Sequence, residues 1–327
     1  LGNLGGFGNA TYIYVAIRRP QKPAEEFAAT DLFASGFRFT AQATAAGVVY
    51  YSGFPVDLAM QIQRNYAAGT ANIIDRLRDK QWLKTEDSSA ETPVIGDFDT
   101  MHGWWKRASI AYDTTLLAHM WRRAPGFFDV VCWVGTGSAR TVTHNLGAVP
   151  EMMWVKNRSS GYSWSVYHSA TGATKYLTLN TEATPTTHAE AWNDTAPTSS
   201  VFTVKDDGRV NLSADNHIAY LFATVAGISK VGTYTGTGSD LNVDCGFSAG
   251  ARFVLIKRTD SSGDWYIWDS VRGIVAGNDP YVFLNDGAAE VTNTDYIDPL
   301  SSGFTITSSA PAALNNSGGT YIFYAIA

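Results

Sequence analysis

The chain has 327 residues, of which 17% are charged and 13% aromatic, and its formal net charge is −6. Few charged residues together with many Gly, Trp, Tyr and Phe favour strands over helices. The negative net charge and the lack of any Lys/Arg block argue against binding to a nucleic-acid backbone or to an anionic membrane. Nucleic acid is therefore not an expected partner. The sequence contains no apolar run of about 18 residues that could span a bilayer. Residues 1–10 lack the basic start and apolar stretch of a signal peptide.

Cysteine and histidine usage bears on metals and cofactors. Two cysteines, Cys132 and Cys245, are too few for a disulfide framework or a Cys-rich zinc site, and we expect free, buried thiols. The six histidines include no pair at metal-ligand spacing. The glycine-rich turns lack the helix and lysine of a phosphate loop. The sequence therefore predicts no metal site and no cofactor.

The chain repeats one module of about a hundred residues. The glycine-rich stretch 134–138 recurs as 235–239, and each copy is followed by an alternating stretch typical of a half-exposed strand. An apolar strand that ends in basic residues comes next, in three versions, and a return strand follows it across a polar turn. Each module closes on another apolar strand. The three closing strands are predicted at 116–121, 217–223 and 320–326.

These recurrences divide the chain into residues 1–20, which carry the closing strand of a preceding repeat, and three modules at 24–126, 127–228 and 229–327. Residues 11–17 match residues 320–326 at five of seven positions. A lone strand leaves its backbone groups unpaired. We therefore expect either a longer array that extends upstream of Leu1 or a stub that docks on a neighbouring module or subunit.

Short strands spaced by turns predict an all-β fold of tandem β-sandwich modules, of the jelly-roll or concanavalin-like type. Module one also fits a short helix at 60–62 or 74–77, but its similarity to the other modules favours strand. The proline-containing linkers at 18–23 and 122–126 limit motion between modules. We expect a semi-rigid, one-dimensional array.

Several motifs carry a resemblance to a known repeat. They are Tyr-Thr-Gly-Thr-Gly-Ser at 234–239, Arg-Thr-Val-Thr-His-Asn-Leu-Gly at 140–147 with Val-Lys-Asn-Arg at 155–158, the stretch 265–273, the closing 315–321, and the linker 122–129. With these motifs the chain resembles a repeat of bacteriophage tail fibre and related virion proteins. The resemblance covers modules two and three well, and module one and residues 1–20 partially.

The resemblance implies an adhesive or scaffolding part of a virion tail, often homotrimeric and extracellular when it acts. We therefore expect a non-catalytic protein that recognises the host surface or serves as a rigid spacer. Its expected partners are further copies of itself, other tail proteins and a bacterial surface glycan. Two alternatives remain: a carbohydrate-binding array attached to a secreted enzyme, and a hydrolase that degrades polysaccharide.

Two patterns could support catalysis. Residues 246–250 fit the Gly-x-Ser-x-Gly nucleophile elbow, but no histidine follows His217 and the other modules lack the serine. Paired carboxylates of a glycosidase could come from the acids that cluster in module three, which are Asp260, Asp264, Asp269 and Asp286. Asp264 and Asp269 flank an aromatic strand, as solvated turn acids do, and His168 replaces Asp269 in module two. Turns explain both patterns more simply, and we predict no catalytic residue.

Aromatic side chains stack on sugar rings when they are exposed and fill cores when they are buried. Four of them recur at homologous strand positions and are assigned to the core: Trp164, Trp265, Tyr176 and Tyr281. Three lie outside the repeat pattern and are the candidates for glycan or interface contacts: Trp104, Trp105 and Trp192. Adjacent side chains of a strand face opposite sides, so Trp104 and Trp105 cannot both point inward, and an interface contact is the favoured explanation.

Overall fold

A computed structural model describes residues 27–37, 50–65, 71–78, 80–94, 98, 103–104 and 115–327. These residues form six antiparallel sheets, three short α-helices and a 3₁₀ helix at Ala29–Asp31, so the predicted all-β class is confirmed. The closing strand predicted at 11–17 lies outside the described residues. None of the described helices has the length and apolar character needed to cross a membrane.

In each module a large sheet packs against a small one. The strands of module one are β1 (Phe33–Phe37), β2 (Tyr50–Tyr51), β3 (Leu58–Gln63), β4 (Ala71–Asp75), β5 (Gln81–Lys84), β6 (Thr92–Pro93), β7 (Gly103–Trp104) and β8 (Leu116–Trp121). The large sheet has the order β1-β8-β3-β4-β5-β6, and β2 pairs with β7. Residues 60–62 and 74–75 are therefore in strands, as the similarity between modules predicted.

Module two has the same plan. Its strands are β9 (Phe128–Val134), β10 (Arg140–Thr143), β11 (Met152–Asn157), β12 (Ser165–His168), β13 (Lys175–Thr178), β14 (Thr186–Thr187), β15 (Val201–Val204) and β16 (Asn216–Phe222), and its helices are α1 (Ala189–Trp192) and α2 (Gly208–Asn211). The large sheet has the order β14-β13-β12-β11-β16-β9, and β10 pairs with β15.

Module three completes the chain. Its strands are β17 (Ser229–Thr235), β18 (Leu241–Asp244), β19 (Phe253–Arg258), β20 (Trp265–Asp269), β21 (Val282–Phe283), β22 (Ile297–Leu300), β23 (Gly303–Ile306) and β24 (Thr320–Ile326), and its helix is α3 (Ala312–Asn315). The large sheet has the order β17-β24-β19-β20-β21, and β18, β23 and β22 form the small one. The predicted closing strands correspond to β8, β16 and β24.

The large sheets are buried on both faces. On β11, Met153 and Val155 face the core between the two sheets of module two, whereas Met152 and Trp154 face a core that all three modules share. Successive side chains of a strand point to opposite sides, so a strand covered on both faces is apolar throughout. This explains why the sequence of these strands does not alternate.

The shared core joins the modules into a closed ring. Side chains from modules one and three meet where the Phe33 and Phe253 rings lie 5.3 Å apart, and modules two and three meet where Phe222 and Tyr324 lie 5.1 Å apart. The expected one-dimensional array is therefore wrong, because the inner face of each large sheet packs on the other modules. Each module contributes equivalent strands to this core, including Leu58, Met60 and Trp121, Met152, Trp154 and Tyr220, and Phe253, Leu255 and Tyr324.

Equivalent residues form the three junctions of the ring. The last residue of the return strand faces the closing strand of the next module. At the first junction the Tyr220 hydroxyl donates to Asp75 Oδ2 (2.7 Å). At the third, His119 Nε2 lies 3.7 Å from Asp269 Oδ2, and burial lowers the pKa of His119 to about 4.

Two junctions carry ion pairs, of which the Asp75–Arg78 and Asp269–Arg272 pairs are fully buried. At the junction of modules one and two, Arg78 contacts Asp75 (2.5 Å) and Arg158 binds Glu91 through two hydrogen bonds of 2.8 and 2.9 Å. The junction of modules three and one repeats this arrangement with Arg272–Asp269 and Arg64–Glu290.

The junction of modules two and three has uncharged residues at the positions equivalent to the aspartate and the two arginines of the other junctions. His168 replaces the aspartate, Thr171 the first arginine and Thr259 the second. His168 and Tyr324 line one small cavity there, and burial lowers the pKa of His168 to about 4.

The ring closes at Arg252. Its Nε donates to the Ala327 carbonyl (2.6 Å) and one terminal nitrogen donates to the Phe33 carbonyl of module one (3.3 Å). A cleft of about 800 Å³ lies at this closure. Residues of all three modules line the cleft, and most of them are apolar. The cleft therefore lies at the contact between modules where the ring closes.

The shared core predicts a single unfolding transition. Separating one module would expose the inner faces of the other two, so the modules cannot lose structure independently. In differential scanning calorimetry we expect a ratio of calorimetric to van't Hoff enthalpy of about one. Three resolved transitions would contradict the ring.

The buried ion pairs predict a large effect of removing one partner. Arg78→Met leaves the carboxylate of Asp75 buried and without its cation, and we expect a loss of about 3–5 kcal/mol in the free energy of unfolding. Arg140→Met is the control, because the Arg140 guanidinium binds only carbonyl groups at the surface; its effect should stay within about 0.5 kcal/mol. Urea denaturation measures both, and equal losses would refute the assignment.

Candidate functional site

Four aromatic rings of module three form what we term the tyrosine cluster: Tyr266, Tyr281, Phe283 and Tyr296. Tyr266 on β20 pairs across the sheet with Phe283 on β21, and their ring centroids are 4.9 Å apart. Tyr281 contacts Tyr266 (5.1 Å) and Tyr296 (5.7 Å). Cross-strand aromatic pairs stabilise a sheet, and here they also bring several phenol groups together.

The cluster is anchored on one side and open on the other. The ring of Tyr266 stacks on Trp268 (5.6 Å), which is fully buried. Tyr266 and Tyr281 keep 6% and 7% of their surface exposed, whereas Phe283 and Tyr296 are partly exposed. The cluster therefore presents two half-buried rings and two phenol edges to solvent.

The phenol hydroxyls of the cluster are unpaired. Among the described residues, those of Tyr266, Tyr281 and Tyr296 make no hydrogen bond. Elsewhere in module three, by contrast, the Tyr234 hydroxyl donates to the Leu314 carbonyl (2.7 Å).

The phenols of Tyr266 and Tyr281 remain protonated at neutral pH. Burial raises the pKa of Tyr281 to about 12, and burial together with Tyr281 and Asp264 raises that of Tyr266 further. A protonated phenol both donates and accepts hydrogen bonds. The hydroxyls can therefore bind polar groups of a ligand.

A carboxylate held by the sheet lies beside the phenols. Asp264 Oδ1 accepts a hydrogen bond from Asn285 Nδ2 (2.8 Å), and Asn285 Oδ1 accepts one from the Trp265 backbone N–H (2.7 Å). Asp264 is among the groups that raise the pKa of Tyr266 and of Tyr281. It therefore adds a fixed hydrogen-bond acceptor to the site.

Module two contributes a second carboxylate. The backbone carbonyl of Glu182 accepts hydrogen bonds from Lys257 Nζ and from the Gly263 N–H, both at 3.0 Å. The Glu182 side chain is exposed and is another of the groups that raise the pKa of Tyr266. Burial lowers the pKa of Lys257 to about 8, although Asp264 and Glu182 oppose this shift.

Module two provides an internal comparison, because the strands of the two modules share one register. Asp269 opposes Phe253 as His168 opposes Met152, and this places Ser165 at the position of Tyr266. By the same register, Thr178 corresponds to Phe283 and Ser163 to Asp264.

The Tyr281 position carries a tyrosine in both modules. In module two its equivalent, Tyr176, receives a hydrogen bond from Arg209, whose guanidinium lies over the ring. The tyrosine cluster is therefore a feature of module three that its repeat does not require.

Two of the candidate contact residues are buried. Trp104 on β7 is 0% exposed and stacks on Tyr50 (5.1 Å), and Trp192 on α1 is 1% exposed and donates from Nε1 to the Lys175 carbonyl (3.0 Å). The prediction that they contact a glycan or another subunit is wrong, because the small sheet and α1 place them in the cores of their own modules. Trp105 lies outside the described residues.

The core assignments made from the repeat are confirmed, since Trp164, Trp265, Tyr176 and Tyr281 are all buried. The positions of Tyr266, Phe283 and Tyr296 in one cluster were not predicted from the sequence. A signal for two of them existed: an aromatic residue in module three stands where module two has serine or threonine.

The residues considered for catalysis have other roles. Asp269 is fully buried against Arg272, and it points to the opposite side of β20 from Asp264, so the two do not face each other across a groove. Ser248 is exposed in the loop between β18 and β19, where no described histidine contacts it. Both cysteines are free; Cys245 is buried as expected, whereas Cys132 is exposed.

A family model described as a domain of unknown function, DUF7483, matches residues 105–327, which include all of modules two and three. The chain belongs to the DUF7483 family. No curated protein matches it. The DUF7483 match contains every residue of the tyrosine cluster and the two carboxylates beside it.

The unpaired hydroxyls predict that their loss does not destabilise this DUF7483 protein. Tyr266→Phe and Tyr296→Phe should change the free energy of unfolding by less than about 0.5 kcal/mol. Tyr321→Phe is the contrasting variant, because its hydroxyl donates to the Ala312 carbonyl and accepts from the Asn316 N–H; it should lose about 1 kcal/mol. Urea denaturation of the three variants measures this, and a loss at Tyr266 equal to that at Tyr321 would show that its phenol has a structural partner.

Proposed function

We propose that this DUF7483 protein is a non-catalytic recognition component of a bacteriophage tail appendage and binds a host-surface saccharide through the tyrosine cluster. The observation that carries the proposal is the set of unpaired phenols and half-buried rings in module three. These hydroxyls have no partner among the described residues and are not enclosed by the protein, so the polar groups of a ligand can replace the water at each of them.

The cluster has the two kinds of surface that a sugar needs. The rings of Phe283 and Tyr296 offer apolar faces for the C–H face of a pyranose. The phenols, Asp264 and Asn285 offer donors and acceptors for its hydroxyl groups. The carboxylate and the amide are held by the backbone of β20, so little ordering is needed on binding.

The placement in a virion tail is supported by the motifs of modules two and three that resemble tail fibre repeats. In the closed ring, one chain forms a rigid head from three modules. In a homotrimer, which the resemblance implies, further copies of the chain would cover apolar faces and strand edges. Because the shared core covers the inner faces within one chain, we propose a monomeric head that attaches to other tail proteins.

The proposal predicts saccharide binding that depends on the tyrosine cluster. We would screen the purified chain on an array of bacterial surface glycans and measure affinities by isothermal titration calorimetry. The variant Tyr266→Ser/Phe283→Thr takes the residues of module two and should bind at least about tenfold more weakly, or about 1.4 kcal/mol.

Tyr162→Ser in module two is the matched control, since Tyr162 is exposed and far from the cluster in the sequence, and it should leave affinity unchanged. Absence of binding to every glycan, or equal binding by the two variants, would overturn the proposal. Release of reducing sugar from the bound glycan would instead favour the hydrolase. Detection of the chain in purified virions by mass spectrometry separates a tail protein from the carbohydrate-binding part of a secreted enzyme.

A further inference from the structure

We infer that the tyrosine cluster selects neutral or amino saccharides and rejects acidic ones; this inference rests on the proposed saccharide binding. The groups that raise the pKa of Tyr266 and Tyr281 are acidic or phenolic. For Tyr266 these are Tyr281, Asp264, Tyr296 and Glu182. For Tyr281 they are Tyr296, Asp264 and Asp279.

The two carboxylates beside the site are not neutralised. Among the described residues, neither Asp264 nor Glu182 forms an ion pair. Both carboxylates raise the pKa of Lys257. The Lys257 side chain is buried, however, and its ammonium donates to the carbonyls of Glu182 and Arg258. It is therefore turned away from a surface ligand.

A fixed negative charge discriminates between ligands of similar shape. The carboxylate of a uronic or sialic acid next to Asp264 and Glu182 adds like-charge repulsion, whereas a hydroxyl or an ammonium group at the same place does not. Because the site is at the surface, salt screens this repulsion. Discrimination against acids should therefore weaken as salt rises.

The selectivity requires two modules. Asp264 belongs to module three, whereas Glu182 is supplied by module two and is held by the hydrogen bonds that Lys257 Nζ and the Gly263 N–H donate to its carbonyl. At the junction of modules one and two the equivalent lysine, Lys156, donates to the carbonyl of Ser88. Asp87, next to Ser88, is among the groups that raise the pKa of Lys156, so both junctions have an acidic neighbour, and module three combines it with the tyrosine cluster.

The test compares oligosaccharides of one linkage and length that contain glucose, glucosamine or glucuronic acid, with affinities measured by calorimetry at low salt. The glucose and glucosamine compounds should bind at least about tenfold more tightly than the glucuronic acid compound. In Asp264→Asn/Glu182→Gln, which keeps side-chain size, the difference should fall below about twofold. Asp194→Asn, an exposed change in module two, is the control and should keep it.

A salt series on the unaltered chain is an independent measurement. Raising the salt from about 20 mM to about 500 mM should reduce the preference against the glucuronic acid compound. Binding of glucuronic acid as tight as that of glucose, or a preference that persists in the double variant, would overturn the selectivity alone. If none of the three compounds, and no glycan on the array, binds, the proposed function fails and the selectivity fails with it.

Discussion

Burial of the large sheets on both faces is the constraint on which the rest of this structure depends. On β11, Met153 and Val155 pack within module two, while Met152 and Trp154 pack on the other modules. A module on its own would expose its inner face to water, and apolar surface of that extent is not tolerated on a monomeric protein. In the ring the three inner faces cover one another. Each module looks independent in the sequence but is one third of a single folding unit.

The junctions show how nearly equivalent modules keep a fixed order. Asp75 and Asp269 lie buried against Arg78 and Arg272, whereas the corresponding His168 has no charged partner of this kind. The ion pairs that cross the junctions are Arg158–Glu91 and Arg64–Glu290, whereas Thr259 stands at the arginine position of module three. Exchanging modules around the ring would therefore leave a glutamate and an arginine without their partners. Two charged junctions and one with uncharged substitutes thus distinguish the correct arrangement from its permutations.

Positions that recur between modules form the ring, whereas positions that differ are not required for it. Trp164 and Trp265 occupy one position, and the Nε1 of each donates to a carbonyl of the preceding module, at 2.8 and 3.1 Å. Module two has Ser165 and Thr178 at the positions of Tyr266 and Phe283. The three-module ring therefore does not need aromatic side chains there. The ring geometry is therefore kept by the shared positions, and the positions of Tyr266 and Phe283, which pack in the core of module three, are free to vary between modules.

The sequence by itself determined the strands, the three modules and the closing strand of each, because the apolar pattern and the turns that set these elements are local. It also placed Trp164 and Trp265 in a core, since their recurrence in strands required it. Tertiary structure alone decided that the inner faces cover one another, because what packs on a sheet is set by residues far apart in the chain. For the same reason Trp104 and Trp192 proved to be buried, and the rings of Tyr266, Tyr281 and Tyr296 proved to lie together beside Asp264 and Glu182.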